Sequence, residues 1–369
     1  MNTEISMKDY GQVITRLINK EDLERDTAKK MFMEILTDQQ TAMQQGAFLA
    51  ALSAKGETPE EVAASFEAIY EVDTLKVTPV TDFPIVDNCG TGMDTFKTFN
   101  ISTAASVIAA AAGIPMGKHG SRALSSVCGT VDVVEAMGVD MDCNVDLVKN
   151  SIEIAGIGMF NGMSPEVHPM ALGRVLSQIS FGSVLNISAS LANPVMPKYG
   201  VRGVYSKEML EFVPEIMREI GYKKALVVYG EVGDAVIDEA STVGTTYVAE
   251  LKEDGTIEHY HFDPVDMGID EGNLDEIKTF NSVEDSAECM VRLLKGKETA
   301  TRADIVALNA GLILYLMEKS NSISDGFTLA KEILADGRAF KQMEKWVQIQ
   351  NRDPKKGLAT LNSLALKVQ

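Results

Sequence analysis

The fold is decided by residues 83–112, which read FPIVDNCGTGMDTFKTFNISTAASVIAAAA. The apolar run at 83–86 predicts a buried strand, and Gly90 and Gly92 predict a tight turn after it. The alanine-rich stretch at 104–112 then has the composition of a buried helix. A strand, a glycine-rich turn and a helix in this order are typical of the parallel sheets of α/β proteins.

The same alternation continues along the chain. Short apolar runs at 114–117, 182–187 and 224–228 predict further strands between helical stretches. A hairpin at the margin of the sheet is predicted for residues 246–262, which have a Glu-Asp-Gly turn in the middle.

The two ends of the chain read as helix. Apolar positions recur at helical spacing over 9–70, where Thr58, Pro59 and Glu61 form a helix-start signature. We therefore expect an α/β protein with a small helical domain at 1–75 and a larger α/β domain at 76–369 that has a mostly parallel sheet. Part of 175–200 is expected to join the helical domain.

Composition excludes several classes of protein. The 369 residues carry 34 Lys and Arg against 53 Asp and Glu, a net charge of −19, which opposes general binding to nucleic acid or anionic membranes. The longest apolar stretch, 104–117, is shorter than the roughly 20 residues that cross a bilayer, and the N-terminus lacks a signal-peptide pattern. The four cysteines show no CxxC pair, so we expect reduced thiols and a cytoplasmic protein.

Two glycine-rich turns place anion-binding groups at predicted helix starts. In the first, Gly90 and Gly92 let the backbone approach an oxyanion, and Asn100, Ser102 and Thr103 add donors. It matches neither GxxxxGK[ST] nor GxGxxG, and an ordinary polar helix cap explains this turn equally well when it is taken alone.

The second turn, KHGSRALSSVCGT at 118–130, favours phosphate binding. Lys118 and Arg122 offer positive charge, while Ser125, Ser126 and Thr130 offer hydroxyl donors. The sequence therefore predicts a local pocket whose charge is opposite to that of the whole protein.

Asp238 and Glu239 are adjacent carboxylates after the predicted strand at 224–228. Beside a phosphate pocket they suit Mg²⁺, which takes a few carboxylates together with phosphate oxygens and water. Among 53 acidic residues such a pair is more often a surface charge, so the magnesium interpretation depends on the two turns.

Four segments, GTGMDTFKTFNIST, KHGSRALSSVCGTVDVVEAMG, IDEAS and LNAGLILYL, together resemble the anthranilate phosphoribosyltransferase family, whose members carry GTGGD, NIST, KHGNR and a late Asp-Glu pair. The resemblance extends over nearly the whole chain. It implies a fold of the nucleoside phosphorylase/phosphoribosyltransferase type, a homodimer, and binding of phosphoribosyl pyrophosphate (PRPP) with Mg²⁺ between the domains. The implied reaction, in tryptophan biosynthesis, moves 5-phosphoribosyl to the amine of anthranilate and releases pyrophosphate.

The family's functional positions carry over onto both turns. The resemblance implies catalytic roles for Lys118 and Asp94, and a metal site at Ser102, Asp238 and Glu239. It implies substrate contacts from Gly90, Gly92, Met93, Asp94, Thr98, Asn100, Ile101, Ser102, Thr103, Lys118, His119, Gly120, Ser121, Arg122, Ser125, Ser126 and Thr130. Such a protein positions its substrates and stabilises charge, so no covalent nucleophile is needed.

Three departures from the family pattern bear on the acceptor. Met93 replaces the third glycine of GTGGD, so that the glycine pair of the motif is here Gly92-Met93, and Ser121 replaces the asparagine of KHGNR. Aligned on Gly182, Gln178 replaces an arginine associated with the acceptor's carboxylate, and Arg174 would supply the charge from one helical turn earlier. Two alternatives stay open: another aromatic or heterocyclic amine or a nucleoside as acceptor, and a non-catalytic relative that binds a phosphorylated ligand or nucleic acid.

Overall fold

The computed structural model of the protein describes residues 5–91, 96–123, 128–179 and 181–368. Its strands are β1 (Val86–Gly90), β2 (Met116–Gly120), β3 (Ile157–Asn161), β4 (Tyr199–Gly203), β5 (Lys224–Val232), β6 (Ala235–Ile237), β7 (Thr246–Leu251) and β8 (Ile257–Phe262). They form one sheet in the order β3-β2-β1-β4-β5-β7-β8, and β6 pairs with β5. Neighbours are parallel from β3 to β5 and antiparallel from β5 to β8. The mostly parallel sheet and the marginal hairpin, β7 and β8, are confirmed.

Helices cover both faces of this sheet. They are α1 (Met7–Ile18), α2 (Arg25–Leu36), α3 (Ala42–Lys55), α4 (Pro59–Val72), α5 (Ile101–Ala111), α6 (Thr130–Ala136), α7 (Val145–Ala155), α8 (Leu172–Gln178), α9 (Val184–Leu191), α10 (Met209–Glu219), α11 (Val283–Leu294), α12 (Ala300–Leu316), α13 (Ile323–Ala335), α14 (Arg338–Ile349) and α15 (Pro354–Lys367). A 3₁₀ turn spans Pro264–Met267. No helix within the described ranges is both long and apolar enough to span a bilayer.

The opening helices form a bundle with one apolar core. Phe48 and Leu49 of α3 are buried in this core together with Leu172 of α8 and Leu185 of α9. The core continues through α10 to the sheet face of β5 and β7. The predicted class, a helical unit beside a larger α/β unit, is confirmed.

The start of α4 follows its sequence signature. The N–H of Glu61 donates to Thr58 Oγ1 at 3.2 Å, and the N–H of Thr58 donates to Glu61 Oε2 at 2.8 Å. Pro59 occupies the first helical position, where no N–H is needed. This reciprocal cap fixes the helix start that the sequence predicts.

The opposite sheet face is covered by α5 and the C-terminal helices. Gln350, fully buried after α14, accepts from the N–H of Met159 at 2.9 Å and donates to the Met159 carbonyl at 2.9 Å. It also accepts from Trp346 Nε1 at 2.9 Å. The end of the chain is thereby fastened to β3, beside the strands that carry the glycine-rich turns.

One predicted strand is wrong. Residues 182–187 begin α9 instead, with Ser183 as its N-cap and Asn186 reaching back to the Ser183 N–H at 2.9 Å. The apolar run is buried because the helix packs into the bundle, and burial alone does not distinguish a short helix from a strand. The strands expected at 83–86 and 114–117 exist but begin later, at Val86 and Met116.

Candidate active site

A cavity of about 470 Å³ opens where β1 and β2 end and α5 and α6 begin. Ligands of parallel sheets commonly bind at this edge, outside the carboxyl ends of the strands. The described lining includes Cys89, Gly90, Thr91, Lys97, Thr98, Asn100, Ser102, Lys118, His119, Ser121, Arg122, Thr130, Leu172, Leu176, Leu185, Asn186, Ser190, Asp238 and Glu239. Both glycine-rich turns and the late acidic pair therefore meet at one cavity.

Two glycines allow the acidic pair to lie against the ends of β1 and β4. A Cβ built at Gly90 would lie 2.1 Å from Asp238 Oδ2, and a Cβ built at Gly203 would lie 1.6 Å from the Asp238 carbonyl oxygen. Because real Cβ atoms do not approach so closely, glycine is required at both positions for this arrangement. Asp238 is thus held directly over the first turn.

The start of α5 is bonded to the same acidic pair. Glu239 Oε1 accepts the Ser102 N–H at 3.0 Å, a favourable position for a carboxylate at a helix N-terminus. Behind the pair, Asn309 Oδ1 accepts the Ala240 N–H at 2.9 Å and Asn309 Nδ2 donates to the Ala240 carbonyl at 2.9 Å. Asn309 therefore fixes the backbone next to Glu239.

The acidic pair supplies oxygen ligands but not a complete metal cage. Within residues 5–91, 96–123, 128–179 and 181–368, no group of three or more His, Cys, Asp or Glu side chains is placed to hold a metal ion. Asp238 and Glu239 are both buried and both line the cavity. Two carboxylates beside a cavity that admits phosphate and water suit Mg²⁺.

Lys118 is a buried cation of the site. Its Nζ donates to the carbonyl oxygen of Asn88, and the side chain is 1% exposed. Burial lowers the pKa of Lys118, an effect that the nearby Asp87 carboxylate opposes. Burial likewise raises the pKa of Asp87, against the attraction of Lys118 and Arg202. The lysine that the sequence predicts for the site thus lies in the cavity lining, close to the Asp87 carboxylate.

Arg122 is engaged by carboxylates on the outer side of the second turn. Its guanidinium pairs with Asp132 at 3.3 Å, Glu135 at 2.6 Å and Asp142 at 3.2 Å. The bond to Glu135 raises its pKa. Arg122 lines the cavity, but three acidic neighbours already balance its charge, so it orders the turn more than it attracts an anion.

Two histidines form a buried pair, and His119 of this pair lines the cavity. His119 Nε2 lies 3.2 Å from His168 Nε2, and His168 Nδ1 donates to the Asp73 carbonyl at 2.8 Å. Burial, together with a smaller effect of the neighbouring His168, lowers the pKa of His119 to about 3, and burial also lowers the pKa of His168. Both rings are therefore neutral near pH 7.

The wall opposite the second turn is largely apolar and comes from α8 and α9. Leu172, Leu176 and Leu185 line it, together with the amide of Asn186. The predicted charge from Arg174 is absent here, which corrects that expectation. Arg174 is helical, as supposed, but it faces the bundle, where it donates to Gln45 at 3.0 Å and to the Ile35 carbonyl at 2.6 Å. It also pairs with Asp38 at 3.2 Å.

Comparisons with known proteins agree with this geometry. Residues 82–340 match the model of the glycosyl transferase family, a/b domain, and residues 11–72 match its helical bundle domain. Anthranilate phosphoribosyltransferase from Methanosarcina acetivorans is 37% identical over 94% of this chain and 90% of its own length. The enzyme of the same name from Aquifex aeolicus is 34% identical over 94% of this chain and 100% of its own. The chain belongs to the anthranilate phosphoribosyltransferase family.

Solved structures in this family share the fold. The Thermus thermophilus anthranilate phosphoribosyltransferase superposes with a TM-score of 0.82 at 33% identity, covering 91% of this chain and 98% of its own. The Saccharomyces cerevisiae enzyme, solved in complex with PRPP and Mg, superposes with the same TM-score of 0.82 at 22% identity, over 94% and 99% of the two chains.

The positions carried over from the anthranilate phosphoribosyltransferase family are largely gathered at the cavity. Its lining includes Gly90, Thr98, Asn100, Ile101, Ser102, Lys118, His119, Gly120, Ser121, Arg122, Thr130, Asp238 and Glu239. Thr103 is fully buried in α5 and lies outside this lining. Gly92, Met93, Asp94, Ser125 and Ser126 lie outside the described residues.

Sequence reasoning missed several residues of this anthranilate phosphoribosyltransferase-family site. Arg202 of β4, 2% exposed, donates to Cys89 Sγ at 2.6 Å and to Ser190 Oγ. A charged residue inside the apolar run YGVRGV was the available signal. Asn309 lies in the family segment LNAGLILYL, but nothing in the sequence indicates what it bonds.

Proposed function

We propose that this protein transfers the 5-phosphoribosyl group from PRPP to the amine of anthranilate and releases pyrophosphate. The observation that carries the proposal is the meeting of Asp238 and Glu239 with the first glycine-rich turn and the start of α5, at the cavity where Lys118 is buried. This arrangement suits a diphosphate ester better than an uncharged ligand. The N–H groups of a helix start, a lysine, and two carboxylates that suit Mg²⁺ all lie at the same cavity.

The donor end of the cavity is formed by β1, the start of α5 and the acidic pair. Gly90 and Thr91 bring backbone to the cavity, and Asn100 and Ser102 add polar groups there. The residues at 92–95 and 124–127 carry further predicted donor contacts, at Gly92, Met93, Asp94, Ser125 and Ser126, which stay predictions.

The acidic pair fits a magnesium ion. Asp238 and Glu239 would hold it, with the Ser102 hydroxyl as the third predicted ligand, and diphosphate oxygens and water would complete its shell. Bound Mg²⁺ would neutralise charge on the leaving pyrophosphate. The support in this chain is the hard-oxygen chemistry of two buried carboxylates at the cavity, and the yeast family member was solved with PRPP and Mg.

The chain's own contribution is to orient the substrates and to keep the reacting carbon beside charged groups. As the bond to pyrophosphate lengthens, the ribosyl carbon becomes electron-poor, and the acceptor amine must lie on its opposite face. The leucines of α8 and α9 offer an apolar surface to an aromatic ring. Lys118 at the cavity floor favours negative charge developing on the diphosphate.

Anthranilate is the acceptor that the family membership favours. The neutral replacements Ser121 and Gln178 are compatible with it only if another group balances the carboxylate, because a buried carboxylate without a partner is costly. A different aromatic amine remains the second candidate, and the observation that favours it is the orientation of Arg174 away from the cavity.

Three further expectations stay proposals. Exposed Met7 and Ile18 of α1 and Met43 of α3 support a homodimer formed through the helical bundle. The domain limits 1–75 and 76–369 and the cytoplasmic location are proposals from the sequence. Light scattering of the purified protein tests the dimer, since a monomer at micromolar concentration would contradict it.

Calorimetry with PRPP tests the donor site. We expect binding that requires Mg²⁺, a loss of at least about tenfold in affinity in Lys118→Met, and a raised Mg²⁺ requirement in Asp238→Asn. Arg174→Gln serves as the control, because Arg174 faces the bundle. The proposed site would be contradicted if the affinity for PRPP were the same with and without Mg²⁺ and the same in Lys118→Met and Asp238→Asn as in the wild type.

A further inference from the structure

Arg202 is a buried cation in a central strand. It lies in β4 directly opposite Cys89 of β1, and both strands are parallel members of the sheet interior. Only 2% of its surface is exposed. Central parallel strands are normally apolar, and a charge buried there is costly unless a partner of opposite charge is provided.

The hydrogen-bond partners of Arg202 are neutral. One Nη donates to Cys89 Sγ at 2.6 Å and the other donates to Ser190 Oγ. Burial raises the pKa of the Cys89 thiol to about 12, so it carries no charge near neutral pH. Arg202 Nε is buried without any hydrogen-bond partner, and within the part of the chain that the structure describes no carboxylate forms a close ion pair with Arg202. Asp87 attracts the guanidinium without bonding to it, and burial opposes the charged form of Asp87 by raising its pKa.

Both neutral partners line the cavity. The Cys89 and Ser190 side chains lie between the Arg202 guanidinium and the open space of the cavity. The Ser190 hydroxyl donates to the Ile187 carbonyl at 2.6 Å, which leaves its oxygen to accept from Arg202. Arg202 therefore lies directly behind the cavity wall, next to α9. We call this part of the cavity, which the leucines of α8 and α9 line, the acceptor end.

Among the described residues of α8 and α9 that line the cavity, none is charged. Leu172, Leu176 and Leu185 are apolar, and Arg174 faces the bundle. Leucine side chains beside a charge held behind a thiol and a hydroxyl are complementary to an aromatic ring that carries one negative group.

We propose that Arg202 is a specificity-determining residue, which favours acceptors with a carboxylate on the ring by placing a positive charge that has only neutral hydrogen-bond partners behind Ser190 and Cys89. This inference rests on the proposed function and deepens it. It also explains how a site with Ser121 and a bundle-facing Arg174 takes an anionic acceptor. Arg202 acts through the cavity wall and is a positioning residue, not a catalytic one.

The test compares anthranilate with 2-aminobenzamide, which has the same ring and amine but no charge. In Arg202→Gln, the ratio of kcat/KM for the two acceptors falls at least about tenfold, because a charge-assisted contact is replaced by a neutral one. Most of this preference returns in Arg202→Lys. The KM for PRPP and the kcat/KM for 2-aminobenzamide change little in both variants.

Arg174→Gln is the matched control, because it removes an arginine that faces away from the cavity, and its acceptor ratio stays at the wild-type value. Equal losses for both acceptors in Arg202→Gln would overturn the inference by showing a purely structural role. If that variant does not fold, the ratio of kcat/KM for the two acceptors is measured in Ser190→Ala instead. Losing the hydroxyl that holds Arg202 lowers the ratio at least about threefold, and an unchanged ratio overturns the inference.

The two proposals fail in different ways. Wild-type protein that binds PRPP with Mg²⁺ but uses neither acceptor overturns the proposed reaction, and the inference with it. Wild-type protein that uses both acceptors equally, or prefers the neutral one, overturns only the role assigned to Arg202.

Discussion

Replacing Gly203 by alanine is expected to displace the Asp238-Glu239 segment. The new Cβ would lie 1.6 Å from the Asp238 carbonyl oxygen and 2.4 Å from its carbonyl carbon, both backbone atoms that no side-chain rotation removes. To restore an ordinary contact of 3.4 Å, the segment must retreat by about 1.8 Å. Misplacing a catalytic group by about 1 Å costs roughly a hundredfold in rate, and overpacking costs about 1–3 kcal/mol of stability.

The assay for Gly203→Ala is turnover at saturating PRPP across a Mg²⁺ titration, with urea unfolding measured in parallel. We expect kcat to fall at least about a hundredfold, and the Mg²⁺ concentration that gives half-maximal turnover (the Mg²⁺ midpoint) to rise, while the protein remains folded. Gly46→Ala in α3 is the control: its Cβ meets nothing within 4 Å, and it should keep full turnover and gain about 0.5–1 kcal/mol. A folded Gly203→Ala protein with wild-type turnover and Mg²⁺ dependence would refute the reasoning.

Three more predictions concern buried polar groups. Asn309→Leu should cost about 1–3 kcal/mol for each Ala240 backbone group left unpaired and raise the Mg²⁺ midpoint; urea unfolding and a Mg²⁺ titration check this, and an unmoved midpoint contradicts it. His119 has its pKa lowered by burial to about 3 from 6.5, so it stays neutral in the folded protein while the unfolded chain takes up a proton. Stability should therefore fall by about 1.4 kcal/mol per pH unit from this residue between pH 6 and 4, and His119→Asn should show a shallower slope in urea unfolding at each pH; parallel slopes would count against the assignment. Gln350→Leu should lower the unfolding free energy by about 2–4 kcal/mol, since it removes bonds to both backbone groups of Met159, yet leave kcat nearly unchanged; a large kcat loss at unchanged stability would contradict this structural role.

Local signals predicted the parts of the fold that local chemistry determines. The capping box at Thr58 and Glu61 and the β7–β8 hairpin follow from short-range hydrogen bonding and turn geometry, and both are confirmed. The error at 182–187 has a different origin. Val184 and Leu185 are buried by the bundle, so their tertiary surroundings decide between helix and strand.

The candidate site was predictable where its residues cluster in sequence and not where they meet only in space. Gly90, Ser102 and Lys118 belong to the two turns, and family motifs located Asp238 and Glu239. The bonds of Arg122 to three acidic residues, and of Arg174 to the bundle, depend on how helices pack. Charge counted along a sequence therefore overstated the positive charge available to a ligand.

Arg202 and Asn309 are two site residues that the sequence did not predict. Each acts through one or two long-range bonds, to Ser190 and Cys89 or to Ala240, that no sequence spacing encodes. A buried charge or amide is visible in a sequence only as a polar residue in an apolar run. Its partners, and hence its function, need the folded chain.

The central claim is transfer of phosphoribosyl to anthranilate, and the most direct measurement follows both anthranilate and pyrophosphate when wild-type protein is mixed with PRPP and Mg²⁺. We predict that anthranilate disappears and pyrophosphate appears in equal amounts, and that neither change occurs once Mg²⁺ is chelated. Unconsumed anthranilate, with PRPP still bound in a Mg²⁺-dependent way, would contradict the claim.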